Sequence, residues 1–295
     1  MKRISCLVLA LVLIIMSSVY PCYGKTDLDK IPLSSRNEWD FVEELEFASS
    51  EDLIRMNISK SDAERYVKEA YDALYKRASM SEEELLKMGY TSFQIDILKK
   101  YANGSKLTQS EIRAITATYY DYISVSNVTS RTATIDYNWY WDQAPVVTQK
   151  DSVGVIWRAV NSNGTYMDIN RTARYAGLTY YKGSNYIFFT SSVQFENVGF
   201  DGANAQFQLG YEDNGAVVYA KYGYVTISLA LDSSVLDDFA YVRFYGQYGH
   251  TVIGIGYPSI SLSFPFSISF SGNTYIDTLG GREIRVYPNG SWDYV

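Results

Sequence analysis

Residues 132–141 read Thr-Ala-Thr-Ile-Asp-Tyr-Asn-Trp-Tyr-Trp. Ala133, Ile135, Tyr137, Trp139 and Trp141 alternate with Thr132, Thr134, Asp136, Asn138 and Tyr140. Successive side chains of a strand point to opposite faces, so this stretch reads as a strand with one buried and one polar side. The same period recurs where Val225, Ile227, Leu229 and Leu231 alternate with Thr226, Ser228 and Ala230. Turn signals punctuate the rest: Asn163-Gly164, Lys182-Gly183-Ser184-Asn185, Asp213-Asn214-Gly215, Gly272-Asn273 and Asn289-Gly290. Asparagine followed by glycine takes the positive φ values that a two-residue hairpin requires. Strands at this spacing, with no helix pattern between them, predict an antiparallel β-sandwich over residues 119–295.

Upstream of Tyr119 the period changes. Ala63, Tyr66, Val67, Ala70, Tyr71 and Leu74 recur at three and four residues, as one face of a helix does. Ser61 with Glu64, Ser81 with Glu84, Thr91 with Gln94, and Thr108 with Glu111 fit the capping box that satisfies first-turn N–H groups. Gly89 and Gly104 sit where helices end. Residues 25–118 are therefore expected to form a string of short helices. The whole reads as an α+β chain: a small N-terminal helical region followed by an all-β antiparallel sandwich.

The first 24 residues have the layout of a secretory signal peptide. Lys2 and Arg3 precede an apolar run from Cys6 to Val19, and Pro21 and Gly24 follow. That run is shorter than the ~20 residues a spanning helix needs, so cleavage after Gly24, secretion and no lasting membrane anchor are expected. Cys6 and Cys22 are the only cysteines, and cleavage removes both. Disulfides, zinc–thiolate sites and cysteine nucleophiles then drop out. An exported chain of this size without disulfides fits a bacterial source. The net charge of −7 and the lack of a basic run argue against nucleic acid as a partner.

Chemistry-bearing residues are sparse. His250 is the single histidine, and no Gly-x-Ser-x-Gly elbow is present, so a serine triad or a zinc centre has too few parts. No catalytic set, metal site or cofactor is predicted. Asp136, Asp142, Glu196, Glu212 and Glu283 keep a carboxylate-dependent glycosidase open, because two carboxylates suffice for that chemistry. Glu212-Asp213-Asn214 and Asp237-Asp238 read as solvated turns. Tyr140, Trp141 and Asp142 are the candidate binding residues, with Trp139 expected in the core and Tyr140 exposed.

Residues 259–271 stand apart. Ile260, Leu262, Phe264, Phe266, Ile268 and Phe270 alternate with serines at 259, 261, 263, 267, 269 and 271, with Pro265 in phase between them. Serine toward water and apolar groups toward lipid is the pattern of a membrane-inserting strand. Two strands, or one bent strand, at a sandwich edge is the plainer expectation, since a pore former uses two such segments in one hairpin and no second is legible. The sequence thus leads to a secreted non-catalytic binding protein, its partner an extracellular glycan, the cell wall or another protein. A pore-forming protein using 259–271 and a glycosidase are the alternatives.

Overall fold

The computed structural model describes residues 34–191, 193–197, 201–254, 259–263, 267–271 and 274–295. The expected signal segment, the Gly272-Asn273 turn, Phe264 and Phe266 lie outside them. In chain order, strand β1 (Ser34–Asn37) precedes helices α1 (Trp39–Glu46), α2 (Ser50–Arg55), α3 (Lys60–Ala78), α4 (Glu82–Lys87), α5 (Ser92–Ala102) and α6 (Gln109–Ile115). Strands follow: β2 (Thr118–Ser126), β3 (Thr132–Trp141), β4 (Lys150–Asn161), β5 (Tyr166–Met167), β6 (Asn170–Lys182), β7 (Asn185–Thr190), β8 (Gln194–Asn197) and β9 (Gly202–Gln208). The chain continues through β10 (Gly210–Asp213), β11 (Ala216–Ala230), β12 (Phe239–Gly254), β13 (Ser259–Ser263), β14 (Ser267–Ser271), β15 (Thr274–Val286) and β16 (Trp292–Tyr294).

Helix starts follow their caps. Ser81, Thr91 and Thr108 close capping boxes with Glu84, Gln94 and Glu111, and Ser49 does the same with Asp52. The expected Ser61–Glu64 box is not the one used. Helix α3 begins two residues earlier, where Ser59 accepts from the Asp62 N–H. Ile58 and Ala63 are both buried there, at the spacing of a hydrophobic staple, which favours the earlier cap. Gly89 and Gly104 have φ of 91° and 85°, the left-handed conformation that ends a helix.

Two seven-stranded antiparallel sheets form the sandwich. In one the order is β1-β2-β3-β11-β6-β7, with β10 paired to β11; in the other it is β16-β15-β12-β4-β9-β8, with β5 paired to β4. The alternation of residues 132–141 holds: Ala133, Ile135, Tyr137, Trp139 and Trp141 are all buried. Glycines make room for these rings. A Cβ on Gly223 would lie 2.2 Å from the Trp139 indole, and one on Gly246 would lie 2.5 Å from the Tyr137 ring.

Helices and sheets share one hydrophobic core, running from Trp39, Tyr66 and Leu74 to Trp141, Trp157 and Phe244. Arg77 of α3 ties the layers. Its guanidinium is buried and donates to Tyr90 Oη (2.7 Å), the Ala144 carbonyl (3.2 Å) and the Pro145 carbonyl (3.1 Å).

The 259–271 stretch forms neither one long strand nor a sandwich edge. β13 and β14 make a separate two-stranded sheet, which packs over β4 and beside β15.

Candidate functional site

The hairpin and the surface beneath it form the first candidate. Register pairs Ile260 with Phe270 and Leu262 with Ile268, while Ser259 faces Ser271, Ser261 faces Ser269 and Ser263 faces Ser267. Directly opposed residues share a face, and Ile260 and Leu262 of one arm lie on the same side as Ile268 of the other. The apolar side rests on sheet β16–β8. Val153, Val155 and Trp157 of β4 are fully buried in the sandwich, so Ser152, Gly154 and Ile156 face outward. Ile268 packs on Ile156, with Ile260, Leu262 and Tyr245 against them. A Cβ on Gly154 would meet Ile268 at 3.1 Å and Leu262 at 3.3 Å; the missing side chain is what seats the hairpin.

The floor around Gly154 is polar. Its register partners are Asn204 on β9 and Gln247 on β12. The buried atoms Ser152 Oγ, Asn204 Oδ1, Gln247 Oε1 and Thr251 Oγ1 have no hydrogen-bond partner among the described residues. Each buried unsatisfied group costs about 1–3 kcal/mol. Fully burying an apolar side chain gains about 1.5–3 kcal/mol. The buried Ile268 and the partly buried Ile260 and Leu262 are set against four polar atoms without a partner among the described residues, which makes the docked hairpin marginal.

The second candidate is a row of aromatic rings on the outer face of the other sheet. Tyr120 and Tyr140 stack with centroids 4.8 Å apart, Tyr140 meets Tyr222 at 6.0 Å, Tyr222 meets Tyr181 at 5.6 Å, and Tyr181 meets Tyr186 at 6.1 Å. The row crosses β2, β3, β11, β6 and β7. A register shift at Ala220/Tyr222 is a bulge, which lets adjacent residues share a face. Lys221 therefore lies over the Tyr181 and Tyr222 rings, at 5.5 and 5.7 Å. Burial lowers its pKa, against the pull of Asp142. Burial also raises the pKa of Tyr120, Tyr140 and Tyr222.

The sequence-derived binding residues separate here. Tyr140 is half-buried in the aromatic row. Trp141 is fully buried and belongs to the core, where its Nε1 donates to Tyr248 Oη at 3.3 Å. Its position in phase with Ile135 and Tyr137 sends it inward. Asp142 lies past the strand end and accepts from the Thr118 N–H at 2.8 Å; burial of its carboxyl raises its pKa. Of the insertion residues, Ile260, Leu262 and Ile268 meet on the polar floor, and Phe270 pairs with Ile260.

A third cluster was missed. Asp151 is in phase with Val153, Val155 and Trp157, a charge on an apolar strand face, and that was the available signal. It accepts from Tyr248 Oη at 2.5 Å and the Thr251 N–H at 2.9 Å, and faces His250 Nδ1 at 3.0 Å. Burial opposes charge on His250, but Asp151, with Glu38 and Asp277 farther off, raises its pKa overall. The void beside His250, lined by Glu38, Trp39, Tyr66 and Val146, is sized for about one water. It has no room for a substrate.

No family model and no curated protein matches this chain. Among solved structures, Clostridium perfringens delta-toxin overlaps it at a TM-score of 0.23 and 10% identity, over 64% of this chain and 90% of the toxin. AvmM, which catalyzes macrocyclization in alchivemycin A biosynthesis, overlaps at 0.21 and 11%, over 56% of this chain and 87% of AvmM. Neither overlap is close enough to carry an argument about this chain.

Four carboxylates of the glycosidase alternative, Asp136, Asp142, Glu212 and Glu283, engage different partners. Asp136 accepts from Thr226 and Ser124, Glu212 pairs with Lys76 at 2.8 Å, and Glu283 pairs with Arg243. Asp213 and Asp238 are likewise held by Lys182 and Arg131. Among the described residues no group of three or more His, Asp or Glu side chains is placed to hold a metal.

Proposed function

We propose that the protein is membrane-active and that hairpin β13–β14 is the element that enters the bilayer. The observation carrying this reading is the hairpin's seat: an apolar cluster on Ile156 and Tyr245, beside buried polar atoms of Ser152, Asn204 and Gln247 that have no hydrogen-bond partner among the described residues. Release wets those atoms, and the apolar face then needs a new solvent, which hydrocarbon supplies. The paired arms, Ser259–Ser263 and Ser267–Ser271, are five residues each, fewer than the ~9–11 a spanning strand needs, so entry would have to draw on the rest of the chain between Gly254 and Thr274, where the pairing of β12 with β15 ends. The sequence reading lacked a second segment for such a hairpin; in the fold, the serine-alternating stretch supplies both arms itself.

A double variant, Gly154→Cys with Ile268→Cys, tests this. The chain's other cysteines, Cys6 and Cys22, lie in the expected leader. The oxidised variant should release no dye from phosphatidylcholine vesicles, and reductant should restore release. Equal release from locked and wild-type protein, or none from wild type, defeats the proposal.

The tyrosine row supports a second reading, a non-catalytic interaction protein. Tyrosines give large, amphipathic contact area at low entropic cost, and mutual stacking fixes these rings in advance. Tyr120 and Tyr140 stack face to face, whereas Tyr181 meets Tyr222 and Tyr186 edge-on, so ring faces as well as edges and hydroxyls are what a glycan, cell-wall or protein partner would meet. Retention on a glycan array or cell-wall preparation that is lost in Tyr140→Ala supports it; silence in both removes glycans as the partner.

A further inference from the structure

A two-stranded ribbon alone in hydrocarbon leaves the outer N–H and C=O groups of both strands unpaired. Closed barrels are the β structures that remove such edges. Bacterial barrels begin at about eight strands, so ribbons from about four or more copies must adjoin. A membrane-active form of this chain therefore needs a surface at which copies meet.

Among the described residues six strands of the two large sheets have a single ladder partner: β1, β7, β8 and β16 at the ends of the strand orders, β10, which carries Glu212 and Asp213, and the two-residue β5. Soluble proteins protect such edges with charge or proline. β1 carries Arg36, β8 carries Glu196 and β16 carries Asp293, whereas β7 reads Asn-Tyr-Ile-Phe-Phe-Thr, with neither. Among the described residues β7 pairs with β6 alone. Tyr186, Ile187, Phe188 and Phe189 are 58%, 42%, 37% and 38% exposed, so apolar groups flank the strand on both faces. Copies that each carry a net charge of −7 repel one another over most of their surfaces. An uncharged edge is where that repulsion is least.

We infer that β7 is the contact at which a second copy of this chain docks, adding a strand edge to this sheet. The inference rests on the membrane reading. A C2 pairing of β7 with itself would stop at two copies, so the contact is heterologous and propagates around a closed ring.

The test uses Ile187→Lys, whose site has no ring partner to lose, and Tyr186→Lys as a second edge variant; near-ultraviolet circular dichroism and thermal melts check folding. On phosphatidylcholine vesicles, wild type should cross-link into species above the dimer and release dye. Both variants should stay monomeric, with release slowed about tenfold or more, as one unpaired charge per contact implies. Variants that cross-link and leak like wild type overturn the assignment. If wild type releases no dye, the membrane reading falls, and sedimentation in solution decides the contact. Concentration-dependent self-association abolished by Ile187→Lys sustains it, and a wild-type monomer at every concentration overturns it.

Discussion

The Asp151 carboxylate and the His250 imidazole face each other at 3.0 Å with their side chains 0% and 1% exposed. Tyr248 and the Thr251 N–H complete the carboxylate's partners. The pair stands one rung beyond Ser152–Gly249, where the recorded β4–β12 ladder ends, four residues from Gly254 and the root of the hairpin. Every partner is internal, so the cluster braces the sandwich where the hairpin departs.

Removing the histidine should therefore cost more than a surface change. His250→Ala leaves the buried Asp151 carboxyl short of one partner, a loss of about 3–5 kcal/mol when a buried pair is broken. Urea unfolding measures it. A cost near zero would mean that Asp151 is adequately held by Tyr248 and Thr251 alone.

Stability should fall as pH rises from 5 to 8. The folded pKa of His250 is raised above 6.5, so its contribution is full below that value and is lost as pH rises through the folded pKa. Burial lifts Asp277 to about 6 despite Arg36, and lifts Glu38 despite the Ala117 and Val146 N–H groups. A carboxyl with a raised folded pKa binds its proton more tightly when folded. It too destabilises the fold as pH climbs through that value. All three act in one direction, and the melting temperature at pH 5 should exceed that at pH 8. The reverse order would show that these groups do not govern the pH response.

The two-sheet architecture was legible because residues 132–141 alternate without a break, and three of the six helix starts because Ser or Thr with an acidic or amide residue three later is a local signal. β1 was not legible. Ser-Ser-Arg-Asn has no alternation, and it becomes a strand by pairing with β2, where Asp121 accepts from both Ser34 N and Oγ at 2.8 Å. The halves of 259–271 were legible as apolar and serine faces. Their pairing with each other was not, because nothing in the unbroken alternation marks where β13 ends and β14 begins. The polar floor was illegible for another reason: Ser152, Asn204 and Gln247 come from three strands, and register alone assembles them.

Arg77→Ala should uncouple the helical layer. The guanidinium spans Tyr90 on one side and the Ala144 and Pro145 carbonyls on the other, and truncation leaves all three acceptors without this donor. Hydrogen bonds to charged groups are worth about 1.5–3 kcal/mol each. The expected loss is about 3 kcal/mol, with earlier proteolysis in residues 39–115 than in the sandwich. Simultaneous loss of both parts would show that the layers unfold as one cooperative unit without this tie.

Tyr140→Ala should disturb the aromatic row locally. Tyr140 holds Tyr120 at 4.8 Å and Tyr222 at 6.0 Å, and aromatic pairs are worth about 0.5–1.5 kcal/mol beyond burial. A stability loss of about 1–2 kcal/mol is expected by urea melts, with the hairpin's protease sensitivity unchanged. A coupled change in the hairpin would tie together two surfaces that lie on different sheets.

Gly154→Val separates strand stability from hairpin seating. Within β4, valine suits a sheet better than glycine does, by up to about 1 kcal/mol, so strand propensity alone predicts an equal or higher melting temperature. The hairpin should respond the opposite way. The first atom added at Gly154 lies 3.1 Å from Ile268 and 3.3 Å from Leu262, and valine adds two methyl groups beyond it, lifting the apolar face off its floor. Chymotrypsin reports this directly, because Phe264, Phe266 and Phe270 are the bulky aromatic residues of the 259–271 stretch. Cleavage there should quicken by about tenfold, the factor that follows from losing about 1.4 kcal/mol of seating energy, and dye release should quicken with it. Faster cleavage with an unchanged or higher melting temperature places the effect in the seat. Unchanged cleavage would mean that the polar floor and Gly154 do not set how firmly the hairpin is held.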